Sequence, residues 1–143
     1  MVDMVGLEER MQVSEVMHRG VVTCSADTSA YGVARIMAAH RIHSVVVATP
    51  GEWPRVVTDA EIASAFYDGL LDSRSADDLG KAAPLLRPSD SLSFALERLH
   101  EHGATHAVVV GRSTRALGVV SVLDVVEAFL REDDRVGVAP FHR

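Results

Sequence analysis

Two stretches of this sequence place a hydroxyl three residues before a carboxylate: Thr58-Asp59-Ala60-Glu61 and Ser121-Val122-Leu123-Asp124. An ionised carboxylate is an acceptor with two oxygens, and a hydroxyl both donates and accepts. Such a pair suits a ligand with neighbouring hydroxyls, or the free N–H groups at a helix start. From the residues alone, the second use, a capping box, is the favoured reading for both. His43 and His106 each precede a valine run, where a histidine reads as a satisfied strand-edge residue or as a donor to an anionic group. Seven histidines invite a metal reading. Yet His40-x-x-His43 and His100-x-His102 lack a thiolate or carboxylate cluster at zinc-like spacing. His40, His100 and His102 fall at expected helix ends, where a cation meets the dipole favourably. Cys24, without a paired base, reads as apolar filler in a strand. Asp77-Asp78 and Asp133-Asp134 read as solvated charge, and Arg112 and Arg115 as loop cations near a binding site or simply in water. With no glycine-rich phosphate loop, Ser-His-Asp order or paired-carboxylate signature, the expectation is a protein that is not an enzyme.

These residues sit in a repeat. His43-Ser44-Val45-Val46-Val47 returns as His106-Ala107-Val108-Val109-Val110, and the same spacing carries Val56-Val57-Thr58 onto Val119-Val120-Ser121. It also carries Asp27 onto Asp90, Tyr31 onto Phe94, Arg35 onto Arg98 and Glu61 onto Asp124, with no insertion between residues 13–66 and 76–129. A repeat of this period must be read before the fold is, because each unit buries its core against the other. Each half then reads β-α-β-β-α. Val21–Cys24 and Leu85–Pro88 open the halves as short strands. Asp27 and Asp90 are expected N-caps, with Thr28 and Ser91 as competitors. Leu92, Ala95, Leu96 and Leu99 form one helical face that ends near Gly103. Val45–Val47 and Val108–Val110 read as buried strands. After the loops 49–54 and 111–115 come strands 55–57 and 117–120, then helices near 59–67 and 122–131. Residues 68–75 read as a polar linker, 1–12 as an extension, helical or not, and the tail after Arg131 as loose.

Composition narrows the class. An apolar share of 48% with 24% charged residues is that of a globular chain, and the scarcity of aromatics leaves Val, Leu, Ile and Ala to build the core. No run of about 18 apolar residues is present, so no transmembrane helix and no membrane partner is expected. The acidic start MVDMVGLEERMQ does not read as a signal peptide. A single cysteine fits a reducing cytoplasm. Twenty acidic residues against 14 Lys and Arg give a net charge of −6, which argues against nucleic acid as a partner but leaves room for a small anion in a locally positive pocket.

Val13-Ser14-Glu15-Val16-Met17 followed by Val21-Val22-Thr23 resembles the opening of a CBS (cystathionine-β-synthase) domain. Gly118-Val119-Val120-Ser121-Val122-Leu123-Asp124 resembles its closing signature, Gly-hydrophobic-hydrophobic-Ser/Thr-x-x-Asp. The resemblance covers about residues 13–130 and occurs twice. It implies an α+β pair of pseudo-symmetric halves packed sheet to sheet, with CBS domains at 13–67 and 76–131. It further implies a regulatory module, here without an attached effector, that acts as a homodimer on a separate effector protein. Its cleft would take AMP, ADP, ATP, S-adenosylmethionine or NAD as ligand and require no cofactor. By that resemblance Asp124 accepts the ribose hydroxyls, Ser121 orients the ligand, His106 or His43 faces the phosphate, and adenine rests among Val22 and Leu86. The sequence departs from the pattern in three places. Glu61, paired with Thr58, stands for the family's Asp and points to a structural cap, so one site per chain is expected. Ser44 and Ala107 follow the histidines where AMP-sensing members carry Arg, which weakens the claim on phosphate. The alternative is a ligand-free scaffold for dimerisation.

Overall fold

The computed structural model describes residues 11–135, so the expectations for most of the N-terminal extension and for the end of the tail lie outside it. A 3-10 turn, Val13–Glu15, leads into β1 (His18–Arg19), β2 (Thr23–Cys24), α1 (Ala30–His40), β3 (Ser44–Val47), β4 (Arg55–Thr58) and α2 (Asp59–Tyr67). The second half repeats the series with α3 (Ala76–Leu79), β5 (Lys81–Ala82), β6 (Leu85–Leu86), α4 (Leu92–Glu101), β7 (His106–Val110), β8 (Ala116–Ser121) and α5 (Val122–Arg135). The last helix thus runs past the expected end at Arg131.

The valine runs form strands because both of their faces are buried. Val45 and Val47 join Val57 under the helices of the first half, while Val46 and Val56 face Val108 and Val110 of the second. In the second half Ala107, Val109 and Val120 take the helix side, with Leu92, Ala95 and Leu99 on α4. A strand covered on both sides carries no polar alternation, which explains the unbroken valines. Each fully buried valine or leucine contributes roughly 1.5–3 kcal/mol. The two sheets therefore pack face to face, with helices on the outside, as the α+β reading expects.

Beyond that scheme are β1 and β5, two-residue strands that cross between halves. β1 pairs antiparallel with β8 of the second half, His18 opposite Val119, and β5 pairs with β4 of the first, Lys81 opposite Val56. The sheet orders are β2-β3-β4-β5 and β1-β8-β7-β6. Each half lends its first strand to the other's sheet.

The backbone corrects the expected register of the repeat. β4 and β8 are related by 63 residues, since Val45 lies opposite Val57 and Ala107 opposite Val120. β3 and β7, by the same pairings, are related by 62. Ser44 therefore matches His106, and His43 matches Thr105: both carbonyls accept the first N–H of the following helix, at 3.0 Å. The two histidines are not equivalent. The relation of 62 also holds for β2 with β6 and for the caps Ser29 and Ser91, and the chain returns to 63 within the hairpin, where β7 is irregular at Val109/Val110. Of the expected N-caps and their competitors only Ser91 caps its helix; in the first half the cap is Ser29, one residue past Thr28. Ser29 and Ser91 cap α1 and α4, accepting from Gly32 N at 2.9 Å and Phe94 N at 3.1 Å. Asp27 and Asp90 instead close the preceding turns, accepting from Ser25 Oγ and from Arg87 N. These short side chains hydrogen-bond their own turn more readily than a helix start further on.

Candidate functional site

The end of β8 and the start of α5 place Ser121 and Asp124 on the groove between the halves. Asp124 N donates to Ser121 Oγ (3.1 Å) and Ser121 N donates to Asp124 Oδ2 (2.8 Å), a complete capping box. The other oxygen, Oδ1, accepts from His18 Nε2 at 2.9 Å. The Asp124 side chain is recessed, 14% exposed, whereas His18 is 76% exposed. Around them lies a cleft of about 530 Å³, lined among others by Arg19, Val22, Arg41, His43, Ser44 and His106. Its walls come from both halves.

The structure brings His43, His106, Ser121, Asp124 and Val22 to this one cleft. His106 Nδ1 lies 2.9 Å from Thr105 Oγ1, and burial lowers the imidazole's pKa from its ordinary 6.5. The carboxylates of Asp59, Asp124 and Glu61 act in the opposite direction, and His43 adds to the lowering, but desolvation is the largest cause. His43 stays exposed, with Nδ1 3.2 Å from Asp59 Oδ2. Leu86 does not join them. It is 1% exposed inside the core of the second half, the place Cys24 holds in the first, and so cannot rest against an adenine. Arg112 and Arg115 are absent from the cleft as well. Arg115 lines a larger cavity, about 700 Å³, between the hairpin loops, which shares Gly20 and Val21 with the Asp124 cleft. That cavity offers one exposed carboxylate, Glu52, and no imidazole, so its size is not matched by chemistry.

Sequence reasoning missed His18, Arg19 and Arg41. The first two sit on a strand too short to show any periodicity. Arg41 follows α1 with a left-handed backbone, φ 53°, a conformation unfavourable for a residue with a Cβ. Its N–H closes the helix on Met37 O, and the turn carries the chain directly into His43. These three residues make the cleft more basic than the sequence pattern suggested.

A second, smaller cleft of about 270 Å³ is the repeat-related copy, lined by Thr58, Glu61, Lys81, Thr105 and His106. Glu61 Oε1 accepts from both Thr58 N (2.7 Å) and Thr58 Oγ1 (2.9 Å), and Oε2 lies 3.4 Å from Lys81 Nζ. The longer glutamate folds back onto its own cap. His106 borders both clefts; His43 borders only the larger. Among the described residues no cluster of three or more His, Cys, Asp or Glu could hold a metal ion. Burial raises the Cys24 thiol's pKa, which disfavours the nucleophilic thiolate.

Comparison with known proteins agrees with this architecture. The CBS domain family model matches residues 13–67 and 78–131. No curated protein sequence matches the chain. Among solved structures, a CBS domain protein, PAE2072 from Pyrobaculum aerophilum, complexed with AMP, superposes with a TM-score of 0.72 at 25% identity, over 80% of this chain and 89% of that one. The CBS domain pair of protein MJ0100, in complex with 5′-methylthioadenosine and S-adenosyl-L-methionine, gives 0.77 at 15% identity, over 85% and 98%. The CBS domain of a bacterial CNNM/CorC family Mg2+ transporter in complex with ATP gives 0.74 at 19%, over 87% and 90%. With both halves matched and each built around its own sheet, the chain belongs to the CBS domain family.

Proposed function

We propose that this chain binds an adenosine-containing ligand in the Asp124 cleft and signals its occupancy through the relative orientation of its halves. AMP, ADP and ATP lead the candidates, with S-adenosylmethionine and NAD behind them. The observation that carries the reading is a recessed carboxylate between the halves, fixed at one oxygen by Ser121 and met at the other only by the exposed ring of His18, in a cleft also lined by Arg19, Arg41, His43 and His106. The AMP complex of the 25%-identical relative supports the ligand class. Asp124 anchors the ribose, Ser121 holds Asp124, His106 and His43 face the phosphate end, and Val22 lies along the adenine. The proposal is of binding and not of a reaction. Because the walls belong to different halves, a ligand that fits one orientation better shifts the population toward it. A homodimer would pass that change to an effector protein in the cytoplasm. The exposed apolar side chains of Phe66, Tyr67 and Leu123 on α2 and α5 provide surface for such contacts.

A second reading, a ligand-free dimerisation scaffold, draws support from the engagement of both Asp124 oxygens within the chain. A thermal-shift panel with AMP, ADP, ATP, NAD, S-adenosylmethionine and guanosine monophosphate separates the two. A ligand at a hundred times its Kd stabilises the fold by about 2.7 kcal/mol, several degrees for a domain of this size. A shift confined to adenosine compounds and lost in Asp124→Ala supports binding; a flat panel supports the scaffold.

A further inference from the structure

Each acidic position meets a basic side chain sent across from the other half. β1 carries His18 to Asp124, and the repeat-related β5 carries Lys81 to Glu61. We propose that His18 is a specificity-determining residue of the Asp124 cleft: it guards the carboxylate against uncharged nucleosides and yields it to ligands that bring a phosphate. The inference rests on the adenosine reading above and adds to it a chemical basis for choosing among adenosine compounds.

The selectivity follows from which atoms are free. Asp124 Oδ2 already accepts from the Ser121 backbone N–H and Oδ1 from His18, so a ligand that takes the Oδ1 position competes with His18 for it. A ribose hydroxyl at Oδ1 replaces one donor by another, an exchange with little net gain. The outcome then depends on what becomes of the displaced imidazole. Asp124 is recessed and fixed, while His18 projects largely into solvent and can swing without uncovering core. A nucleoside offers it no ionised acceptor. A phosphate in the same cleft, beside Arg41 and His43, offers an anionic acceptor, and hydrogen bonds to an ionised group are roughly twice as strong as neutral ones. The hydrogen bond that His18 gives up at Asp124 is thus replaced by one of like strength only when the ligand bears a phosphate.

The test is calorimetric titration of AMP and adenosine into the wild-type chain, His18→Ala and His18→Lys, with His18→Thr as a strand-favouring second loss variant. β1 is held to β8 through its backbone, so these variants are expected to keep one cooperative unfolding transition. The wild type should prefer AMP by roughly tenfold or more, on the scale of one charge-assisted hydrogen bond. In His18→Ala and His18→Thr the ratio should fall severalfold, to what Arg41 and His43 alone provide, with adenosine binding more tightly than it does to wild type. In His18→Lys the preference should return. An unchanged ratio in the loss variants, with both ligands still bound, overturns the role of His18 and leaves the adenosine reading intact. Absence of binding by either ligand to every folded variant overturns the adenosine reading and this inference with it.

Discussion

His18 Nε2 stands 2.9 Å from Asp124 Oδ1, a contact between residues 106 positions apart that joins the crossover strand of one half to the helix start of the other. Its repeat-related copy, Lys81 Nζ on Glu61 Oε2, spans 3.4 Å. The acids are the recessed partners in both pairs and the bases the exposed ones. Each pair depends on a two-residue strand staying joined to a sheet that belongs to the other half.

Gly118 is what lets β1 come so close. A Cβ added there would meet Met17 Sδ at 2.8 Å and His18 O at 2.9 Å, and the second of these is backbone that cannot step aside cheaply. Gly118→Ala should push β1 off β8 and carry His18 away from Asp124. The expected cost is about 1–3 kcal/mol, the range for overpacking a close contact. Urea denaturation measures it, and faster amide exchange at the β1–β8 pairing should accompany it.

The capping box at α5 should contribute to stability whether or not a ligand binds. Ser121→Ala leaves Asp124 N without its acceptor, and the expected loss is about 1 kcal/mol. Asp124→Ala should cost a similar amount and in addition remove the thermal shift with AMP. Equal AMP shifts in wild type and Asp124→Ala would show that the carboxylate serves the helix alone.

In the smaller cleft the two partners of one pair should behave unequally. Lys81 is 74% exposed, so Lys81→Ala should change stability by less than about 1 kcal/mol, as exposed ion pairs do. Glu61→Ala takes the acceptor from the backbone N–H and hydroxyl of Thr58, both part-buried, and should cost about 1–3 kcal/mol. Chemical denaturation of both variants under one buffer reads the difference directly.

His106 gives the fold a pH dependence of definite sign. Its pKa lies below the ordinary 6.5, first because burial disfavours the imidazolium. The unfolded chain therefore takes up this proton before the folded one does. Above 6.5 both states are neutral and the stability is complete; as pH falls from 6.5 through the lowered folded value, stability declines. His106→Gln should flatten that decline. Urea midpoints measured on either side of the ordinary histidine pKa decide it, and an identical slope in the variant would remove His106 as the source.

Much of the fold was legible in the sequence because burial leaves a pattern. The valine runs, the face of Leu92, Ala95 and Leu99, and the two hydroxyl-x-x-acid stretches located sheets, helices and caps. The same valines misled on register. At 63 residues all three valines fall on valines, whereas at 62 Val45 falls on Ala107, and only the backbone pairing of β3 with β4 and β7 with β8 shows that the second relation holds. His43 and His106 look like a matched pair in the sequence and occupy different positions in the fold for that reason. Leu86 was misplaced by the same kind of ambiguity, since two adjacent leucines do not say which one faces the core.

The crossover strands owe their existence to packing. Two residues hold no period and no propensity strong enough to form a strand unaided, so β1 and β5 form only because a sheet edge of the opposite half receives them. Local sequence was enough to specify a doubled α+β domain with an acid at each helix start. That His18 and Lys81 would be delivered to those acids was not encoded locally, because the contacts arise only when the two halves pack and each completes the other's sheet.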